Sequence, residues 1–379
     1  MSKQQDPQGM RQAPAAPLDR REFLGTGMAF GAGGLLAALG VNGTAAAQAA
    51  APAAAAAPGP ARPPMPPEPK VSQPPPLKDL KGKVAYITAA SDGIGLGIAR
   101  AAANAGMKVV IGYRNEERLK AALPLFKAAN AGVLPIKHDV TDRDGWKSLL
   151  EQVKSHYGKL HLVVNNAGIK TLRQASQAKF DEWDNAVAVN FTAIYNSVAV
   201  CLPHMLEHGE GGHFVTTASM GGLLPGVNAG VYTSTKIAAV GIMEALRVEL
   251  ESTNIGTSVF CPGGVNTDNY VGTGEENPFR KGKGFPNGMP RFMSAAMDPL
   301  EAGERVLNGV VNNDLFILSH PEFKPGIKER FDAIMASTPA VETPIPQARV
   351  DYERVVLRCG MYEREIEHRA VKRGSYRSV

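Results

Sequence analysis

Cysteine is scarce in this sequence, and the few cysteines form no recognisable pattern. The 379 residues include three, Cys201, Cys261 and Cys359. Their spacing matches neither a set of metal ligands nor the disulfide framework of a small secreted domain. We therefore predict no metal site, and we expect the thiols to be buried or idle.

Charge is also limited and is spread along the chain. Charged residues make up 20% of the sequence, and the formal net charge is +5. A nucleic-acid-binding surface needs basic residues concentrated in a patch or a run, and the sequence has no long basic run. We therefore do not expect nucleic acid as a partner.

Long apolar runs are missing except near the start of the chain. No other run reaches the roughly 20 residues that a membrane span needs. Residues 23–41, "FLGTGMAFGAGGLLAALGV", come close, but seven of these 19 residues are glycine or threonine. The segment follows no predicted strand and lacks a Gly-Lys-Ser/Thr sequence, which excludes a nucleotide-binding phosphate loop.

The residues on either side of this segment indicate an export signal. Two adjacent arginines precede it in "DRREFL", which resembles a twin-arginine signal. Ala45 and Ala47 suit cleavage before Gln48. We predict that residues 1–47 are a signal peptide recognised by the twin-arginine translocation machinery and that the protein is periplasmic. The alternative is a membrane anchor formed by residues 23–41.

Composition divides the rest of the chain into a linker, a domain and an extension. Residues 48–77 are mostly alanine and proline, a composition that favours extended, solvated backbone. Residues 78–325 have the composition of a globular domain. Residues 326–379 end in an amphipathic segment. We expect it to pack either on a partner subunit, as an oligomerisation arm, or along its own domain.

Within the domain, short β-branched apolar runs alternate with longer segments of helical period. The seven runs are "KVAYIT" (83–88), "KVVIG" (108–112), "GVLPIK" (132–137), "LHLVV" (160–164), "GHFVTT" (212–217), "TSVFC" (257–261) and "LFIL" (315–318). This alternation predicts an α/β fold, a Rossmann-like doubly wound parallel sheet of seven strands, with a helical C-terminal extension. Its ligands should bind beyond the carboxyl ends of the strands.

The turns after the first two strands indicate a dinucleotide site. Gly93 and Gly95 open a helix directly after the first strand, where backbone N–H groups and the positive helix end can approach a pyrophosphate. After the second strand, "IGYRNEERL" has Arg114 where an NAD site commonly has an acidic residue. A guanidinium suits a 2′-phosphate. We therefore expect NADP(H) as the favoured cofactor and NAD(H) as the alternative.

Four polar residues form a candidate catalytic set. Tyr232 and Lys236 lie four apart in a helical pattern and therefore share one helix face. A nearby ammonium favours the phenolate and makes the tyrosine a plausible general acid–base. Ser219 follows the fifth strand, where its hydroxyl can bind a carbonyl oxygen. Asn190 lies within a predicted helix, in which asparagine is unfavourable unless its side chain has a partner.

In this order, the motifs resemble those of the short-chain dehydrogenase/reductase family. The matches are "TAASDGIG" (88–95), "HDV" (138–140), "NNAG" (165–168), Asn190, Ser219, the Tyr232–Lys236 pair and "PGGVNT" (262–267). The resemblance covers residues 78 to about 325. It implies hydride transfer between an alcohol and a carbonyl compound, a nicotinamide cofactor and a homo-oligomer, either a dimer or a tetramer.

The resemblance also implies a role for each matching residue. Tyr232 would be the acid–base, Lys236 would bind the ribose hydroxyls, Ser219 would orient the substrate oxygen and Asn190 would hold a water of a proton relay. Asp139 would bind the adenine amino group. The residues implied to bind the cofactor are Thr88, Ser91, Gly93, Ile94, Gly95, Arg114, Asp139, Val140, Asn166, Ala167, Gly168, Tyr232, Lys236, Val265 and Thr267.

Ala89 departs from the family pattern, which has glycine at that position. The methyl group either narrows the adenosine side of the site or is absorbed by a backbone of negative φ. We expect slightly altered cofactor affinity without loss of binding.

Residues 268–299 are too rich in glycine, proline and asparagine for regular structure. We interpret this segment as a lid over the substrate, an alcohol or carbonyl compound. Phe285, Met289, Phe292, Met293 and Met297 would give it an apolar lining. Its basic residues, Arg280, Lys281 and Lys283, either attract an anionic substrate or form a solvated edge.

The leading functional hypothesis is an exported NADP-linked oxidoreductase. A non-catalytic or redox-sensing NADP-binding protein is one alternative, although the retained Asn190, Ser219, Tyr232 and Lys236 argue against it. An isomerase or epimerase that recycles a tightly held nucleotide is another.

Overall fold

The structure, a computed structural model, describes residues 69–129, 132–267, 296–340, 344–357 and 360–372. The predicted signal peptide, the first part of the linker and residues 268–295 of the predicted lid lie outside the described residues. Apart from residues 130–131 and 268–295, the described ranges cover the whole of the predicted domain, 78–325.

Seven strands form one parallel sheet in the described part of the chain. They are β1 (Val84–Ile87), β2 (Lys108–Tyr113), β3 (Val133–Lys137), β4 (Leu162–Asn165), β5 (Gly212–Thr217), β6 (Ile255–Cys261) and β7 (Phe316–Leu318). Their order across the sheet is β3-β2-β1-β4-β5-β6-β7, and all neighbours run parallel. Each strand overlaps one predicted run, which confirms the Rossmann-like doubly wound fold.

The start of β6 differs from its predicted start by two residues. The predicted run begins at Thr257, but β6 begins at Ile255. Gly256 is needed inside the strand, since a Cβ there would lie 2.6 Å from Oδ1 of Asn313 and would also overlap His213. Close packing in this part of the sheet therefore overrides the strand propensity of the single residue.

Helices cover both faces of the sheet. In chain order they are α1 (Gly93–Asn104), α2 (Glu116–Ala122), α3 (Arg143–Tyr157), α4 (Phe180–Val187), α5 (Ala193–His208), α6 (Gly230–Leu250), α7 (Pro299–Asn312), α8 (Lys324–Ala336), α9 (Gln347–Leu357) and α10 (Gly360–Lys372). Because side chains alternate along a strand, Tyr86 enters the core beneath α3, α5 and α6. Its neighbour Ile87 enters the opposite core beneath α1 and α7.

Helices α4 and α5 are joined by a π-helical turn into one long run. The run Phe180–His208 is apolar and long enough, by composition, to cross a membrane. Half of its most apolar window is buried inside the domain, and Ile194, Cys201 and Met205 belong to the core beneath α5. We therefore interpret the run as a core helix.

The end of the predicted linker packs against the domain. Gln73 is only 9% exposed, and its Nε2 donates to the carbonyl groups of Leu250, Thr253 and Ile255 at 3.0, 2.8 and 3.0 Å. Its Oε1 accepts a hydrogen bond from Nδ2 of Asn313 at 2.9 Å. Residues 69–77 therefore form a strap that belongs structurally to the domain.

The C-terminal extension is helical, as predicted, and α10 packs along its own domain. Arg364 forms an ion pair with Glu251 at 2.8 Å, and both side chains are nearly buried. Arg364 also donates to the carbonyl group of Pro69, at 2.9 Å. Polar contacts therefore fasten both the strap and α10 to the same side of the domain.

We predict that Gln73→Ala lowers the free energy of unfolding by about 2 kcal/mol, because it removes an almost buried amide that bonds to three carbonyl groups and to Asn313. Denaturant unfolding followed by circular dichroism measures this. The matched control is Gln152→Ala, since the exposed Gln152 bonds only within α3, to Ser148. The control should change stability by less than about 0.5 kcal/mol. Equal stability of both variants and the parent would contradict the role of the strap.

Candidate active site

A cavity of about 880 Å³ opens at the carboxyl edge of the sheet. Its walls include the segments that follow β1 to β6, together with the first two turns of α6. This is the edge at which a doubly wound sheet binds its ligands. The cavity therefore lies where the strand order predicts it.

Lys236 and Tyr232 lie together on the cavity side of α6. Lys236 is 4% exposed, and its Nζ donates to the carbonyl oxygen of Thr217, at the end of β5, at 2.9 Å. The same Nζ lies 5.7 Å from the centroid of the Tyr232 ring. Burial lowers the pKa of Lys236 to about 8. The buried ammonium thus lies beside the aromatic ring of Tyr232, which is half-buried at the cavity wall.

Ser219 reaches the same place from the end of β5. Its Oγ accepts a hydrogen bond from the N–H of Gly221 at 3.0 Å. A Cβ built on Gly221 would lie 3.3 Å from Cε1 of Tyr232 and 3.5 Å from the Ser219 Oγ. Both side chains therefore flank Gly221, and both line the cavity.

Asn190 occupies the π-helical turn Ala188–Thr192 and is 2% exposed. Its Oδ1 accepts from the N–H of Ile169 at 2.8 Å, and its Nδ2 donates to the Ile169 carbonyl at 2.9 Å and to Oγ1 of Thr235 at 3.0 Å. Both N–H donors of the amide are used by protein groups. These bonds hold the Asn190 side chain in place, so a relay water at this residue would have to donate to an oxygen of Asn190 rather than accept from its amide.

The turn after β1 is narrow and tightly packed. A Cβ on Gly95 would lie 2.5 Å from both the Ala89 carbonyl oxygen and Nδ2 of Asn166, so only glycine fits there. Asp92 caps α1 by accepting the N–H of Gly93 at 2.7 Å. That cap uses a backbone donor that sequence reasoning assigned to a pyrophosphate.

Ala89 has a backbone φ of +50°. Of the two alternatives for its methyl group, absorption by a backbone of negative φ is therefore excluded. A left-handed conformation costs a residue with a Cβ about 1–2 kcal/mol relative to its usual conformations. The turn after β1 thus contains a strained residue at the position where the family has glycine.

Thr88 braces this turn instead of facing the cavity. The side chain is 1% exposed, and its Oγ1 accepts from the N–H groups of Asn166 and Ala167, both at 2.8 Å. Thr88 thereby fixes the backbone that follows β4. Asn166, Ala167 and the next residue, Gly168, do line the cavity.

The turn after β2 carries positive charge to one end of the cavity. Arg114 has a 68% exposed side chain and pairs with Asp139 at 3.3 Å. Asp139 does not line the cavity; its Oδ1 accepts the backbone N–H of Thr141 at 2.9 Å, and this hydrogen bond is the main cause of its lowered pKa. Sequence reasoning missed Arg118, which also lines this end and pairs with Asp92 at 3.0 Å. The position of Arg118 in the first turn of α2, directly after the turn that follows β2, is the signal that could have found it.

The turn after β6 forms the wall near Ser219. A Cβ built on Gly93 would lie 3.3 Å from Thr267, so the turns after β1 and β6 meet. Thr267 and the buried Val265 both line the cavity.

The wall beyond Tyr232 is mostly apolar, with Ile169, Leu172, Leu224 and Phe323 among its residues. Lys170 also lines it, and burial lowers the pKa of its ammonium group. Of the residues predicted to form the lid's lining and basic edge, only Met297 is described. It forms an isolated β-bridge with Val265, and the others lie outside the described residues.

The structure therefore brings most of the predicted residues together. The cavity is lined by Ser91, Ile94, Arg114, Val140, Asn166, Ala167, Gly168, Ser219, Tyr232, Lys236, Val265 and Thr267. Four predicted cofactor residues are not among its lining, namely Thr88, Gly93, Gly95 and Asp139, nor is Asn190. They lie in the same segments as the lining residues but do not face the cavity.

These residues fit a nicotinamide dinucleotide. The glycine turn opens a helix whose N-terminal end suits a pyrophosphate, and Gly95 keeps that turn too close-packed for any side chain. Cationic groups lie at one end of the cavity and a hydroxyl, a phenol and an ammonium at the other. The polarity of the walls thus matches a ligand with a phosphorylated end and a reactive end.

Comparison with known proteins gives the family. The chain matches the family model of the short chain dehydrogenases over residues 83–277, just over half of its length, and it belongs to that family. It is 27% identical to the C alpha-dehydrogenase of Sphingobium sp. (strain NBRC 103272 / SYK-6) over 288 residues, which cover 74% of this chain and 94% of the relative.

Solved structures give the same result. The apo form of LigO from Sphingobium sp. strain SYK-6 is 33% identical with a TM-score of 0.61, and the match covers 75% of this chain and 98% of that one. A short chain dehydrogenase/reductase from Burkholderia phymatum in complex with NAD is 25% identical with a TM-score of 0.59, covering 70% and 99%. Similarity to dehydrogenases, one of them holding a nicotinamide nucleotide, supports NAD(P)-dependent oxidoreduction.

We predict that Ala89→Gly raises the free energy of unfolding by about 1 kcal/mol, because glycine adopts a positive φ without a steric penalty. The same change at Ala99, inside α1, should lower it by about 1 kcal/mol or more. Denaturant unfolding of both variants tests this. A loss of stability in Ala89→Gly would contradict the assigned strain.

Proposed function

We propose that the protein catalyses the NAD(P)-dependent interconversion of an alcohol and a carbonyl compound. The observation that carries this proposal is the convergence of Ser219, Tyr232 and Lys236 on one end of the cavity. The hydroxyl and the phenol flank the same glycine, and the ammonium lies beside the phenol. Such a set can bind one substrate oxygen and move its proton.

The nicotinamide, when bound, exchanges a hydride with the substrate carbon. Tyr232 gives or takes the proton on the substrate oxygen through its phenolic Oη. Ser219 stabilises that oxygen with a hydrogen bond. The Ser219 Oγ accepts the N–H of Gly221, so its own O–H is left to donate to the substrate.

Lys236 favours the phenolate form of Tyr232 because its positive charge is close and poorly screened. One of its three N–H donors is held by the Thr217 carbonyl oxygen. That bond directs the ammonium toward the region in which we expect the ribose of the nucleotide. Asn190 helps to position Tyr232 and Lys236, since its amide donates to Thr235, one residue before Lys236 on α6.

We predict that Tyr232→Phe lowers turnover by about 10²- to 10⁴-fold, the usual contribution of a positioned acid–base, while the Kd for NADPH rises by no more than about fivefold, the effect of one lost hydrogen bond. NADPH oxidation with a panel of aromatic and aliphatic ketones gives the rate, and calorimetry gives the Kd.

Tyr195→Phe is the matched control, since Tyr195 is 57% exposed; it should retain full activity. Retained activity in Tyr232→Phe would contradict the assignment. A parent protein that binds NADPH but reduces none of the ketones would favour a non-catalytic binding protein. Turnover with very slow nucleotide release would favour an isomerase or epimerase.

We further propose that NADP(H) is preferred over NAD(H). Arg114 and Arg118 both reach the end of the cavity formed by the turn after β2. The Arg114 guanidinium is mostly exposed and only loosely paired with Asp139, so it can turn to a phosphate at little cost. A 2′-phosphate there would receive charge-assisted hydrogen bonds.

We predict that Arg114→Met raises the Kd for NADPH about tenfold or more and leaves the Kd for NADH within about twofold, because only NADPH carries the 2′-phosphate. Calorimetric titration measures both constants. Lys120→Met removes an exposed charge from nearby α2 and should change neither constant. Equal weakening of both nucleotides, or of neither, would contradict the preference.

A further inference from the structure

His320 joins two turns that are far apart in the sequence. It directly follows Ser319 after β7, at the start of the short 3₁₀ helix Pro321–Phe323. Its ring lies against the turn after β6, residues 262–265, which forms one wall of the cavity. His320 itself is not among the residues that line the cavity. Any effect on a bound ligand must therefore pass through a neighbour that lines the cavity, namely that turn or Phe323, whose ring lies 6.3 Å from the His320 ring.

Two hydrogen bonds attach the imidazole to the turn. The N–H of Gly263 lies 3.0 Å from Nδ1 of His320, and the carbonyl oxygen of Gly264 lies 3.1 Å from Nε2. A backbone N–H can only donate, so Nδ1 is the acceptor and Nε2 carries the proton. This tautomer, assigned from the hydrogen-bond network, satisfies both neighbouring peptide groups with one neutral ring.

Close packing makes the contact specific. A Cβ on Gly263 would lie 2.8 Å from ring atoms of His320 and 2.8 Å from Cε2 of Phe323. The glycine is therefore pressed against two aromatic rings with no room for a side chain. Since Nδ1 carries no proton in this tautomer, the Ser319 hydroxyl also donates to it, at 2.8 Å, and shares its lone pair with the Gly263 N–H.

The other side of the turn is fixed to the catalytic segment. The carbonyl oxygen of Pro262 accepts a hydrogen bond from the N–H of Met220 at 2.9 Å, and Met220 follows Ser219 directly. The turn is thus held between His320 on one side and the Ser219 segment on the other. Val265 and Thr267 extend from it along the cavity wall.

We propose that His320 is a positioning residue that holds residues 262–265 in place against the nicotinamide end of the bound nucleotide. This rests on the proposed function, because it places the nicotinamide beside the turn after β6. The adenosine end of the cavity is built by the turns after β1 and β2, which His320 does not contact through any hydrogen bond or ring contact among the described residues. Loss of His320 should therefore affect one end of the nucleotide selectively.

The test compares two ligands that differ at that end. NADP⁺ has the nicotinamide group, and 2′-phospho-ADP-ribose lacks it. His320→Leu should raise the Kd for NADP⁺ about tenfold and leave the Kd for 2′-phospho-ADP-ribose within about twofold. His320→Asn keeps an acceptor near the position of Nδ1 and should recover part of the loss. His156→Leu is the control, since His156 is exposed on α3 and should alter neither constant.

A second measurement, on the nucleotide-free protein, tests whether His320 holds residues 262–265 in place even if nucleotides do not bind. Amide hydrogen exchange should become faster in peptides covering residues 259–267 of His320→Leu and stay unchanged in peptides covering α1. Equal weakening of both ligands would mean a general structural role and would overturn the proposal, as would unchanged exchange in the turn. A parent protein that binds neither ligand would overturn the proposed function instead.

Discussion

The ammonium group of Lys236 is buried and needs hydrogen-bond partners from the protein, and much of the site depends on this contact. Burial of a charge is costly unless it is hydrogen-bonded, and the Thr217 carbonyl oxygen at the end of β5 supplies one partner. Because that carbonyl belongs to a central strand, the position of Lys236 is tied to the sheet. Tyr232 lies one turn earlier on α6, so the contact that fixes Lys236 against the sheet also fixes the position of Tyr232. The lowered pKa of Lys236 is the electrostatic consequence of this location.

Hydrogen bonds of Asn190 and Thr88 join the segments that surround the site. Asn190, in its π-helical turn, links the Ile169 backbone to Thr235 in α6, so the segments after β4 and around α6 cannot shift independently. Thr88 ties the turn after β1 to the segment after β4. The cavity walls are thus neighbouring loops joined by hydrogen bonds, of which the Asn190–Thr235 bond is buried and the others are part-buried. Breaking a buried bond is costly because it leaves a polar group without a partner, so these bonds help a site built from loops to keep its geometry.

Sequence patterns were sufficient for the sheet, because a buried parallel strand reads as an apolar run and a residue shortly after it, such as Ser219, reaches the carboxyl edge. Most of the other residues facing the cavity were implied by the family resemblance, and Arg118 was missed. The sequence did not predict the direction in which individual side chains point. Thr88 and Asn190 lie in matching motifs, yet three-dimensional packing directs their polar atoms at backbone groups. The positive φ of Ala89 and the contact between His320 and Gly263 depend on residues distant in sequence, which no local pattern contains. The export signal lies outside the described residues and stays a prediction.

The central claim is that one nicotinamide nucleotide lies along this cavity with its reactive end beside Tyr232 and Lys236. A crystal structure of the protein with NADP⁺ tests it most directly. The account predicts the nicotinamide against Val265 and Thr267, the adjoining ribose within hydrogen-bond distance of Tyr232 and Lys236, and the 2′-phosphate beside Arg114. A nucleotide bound in the reverse direction or at another surface, or a cavity that stays empty at saturating NADP⁺, would contradict the account.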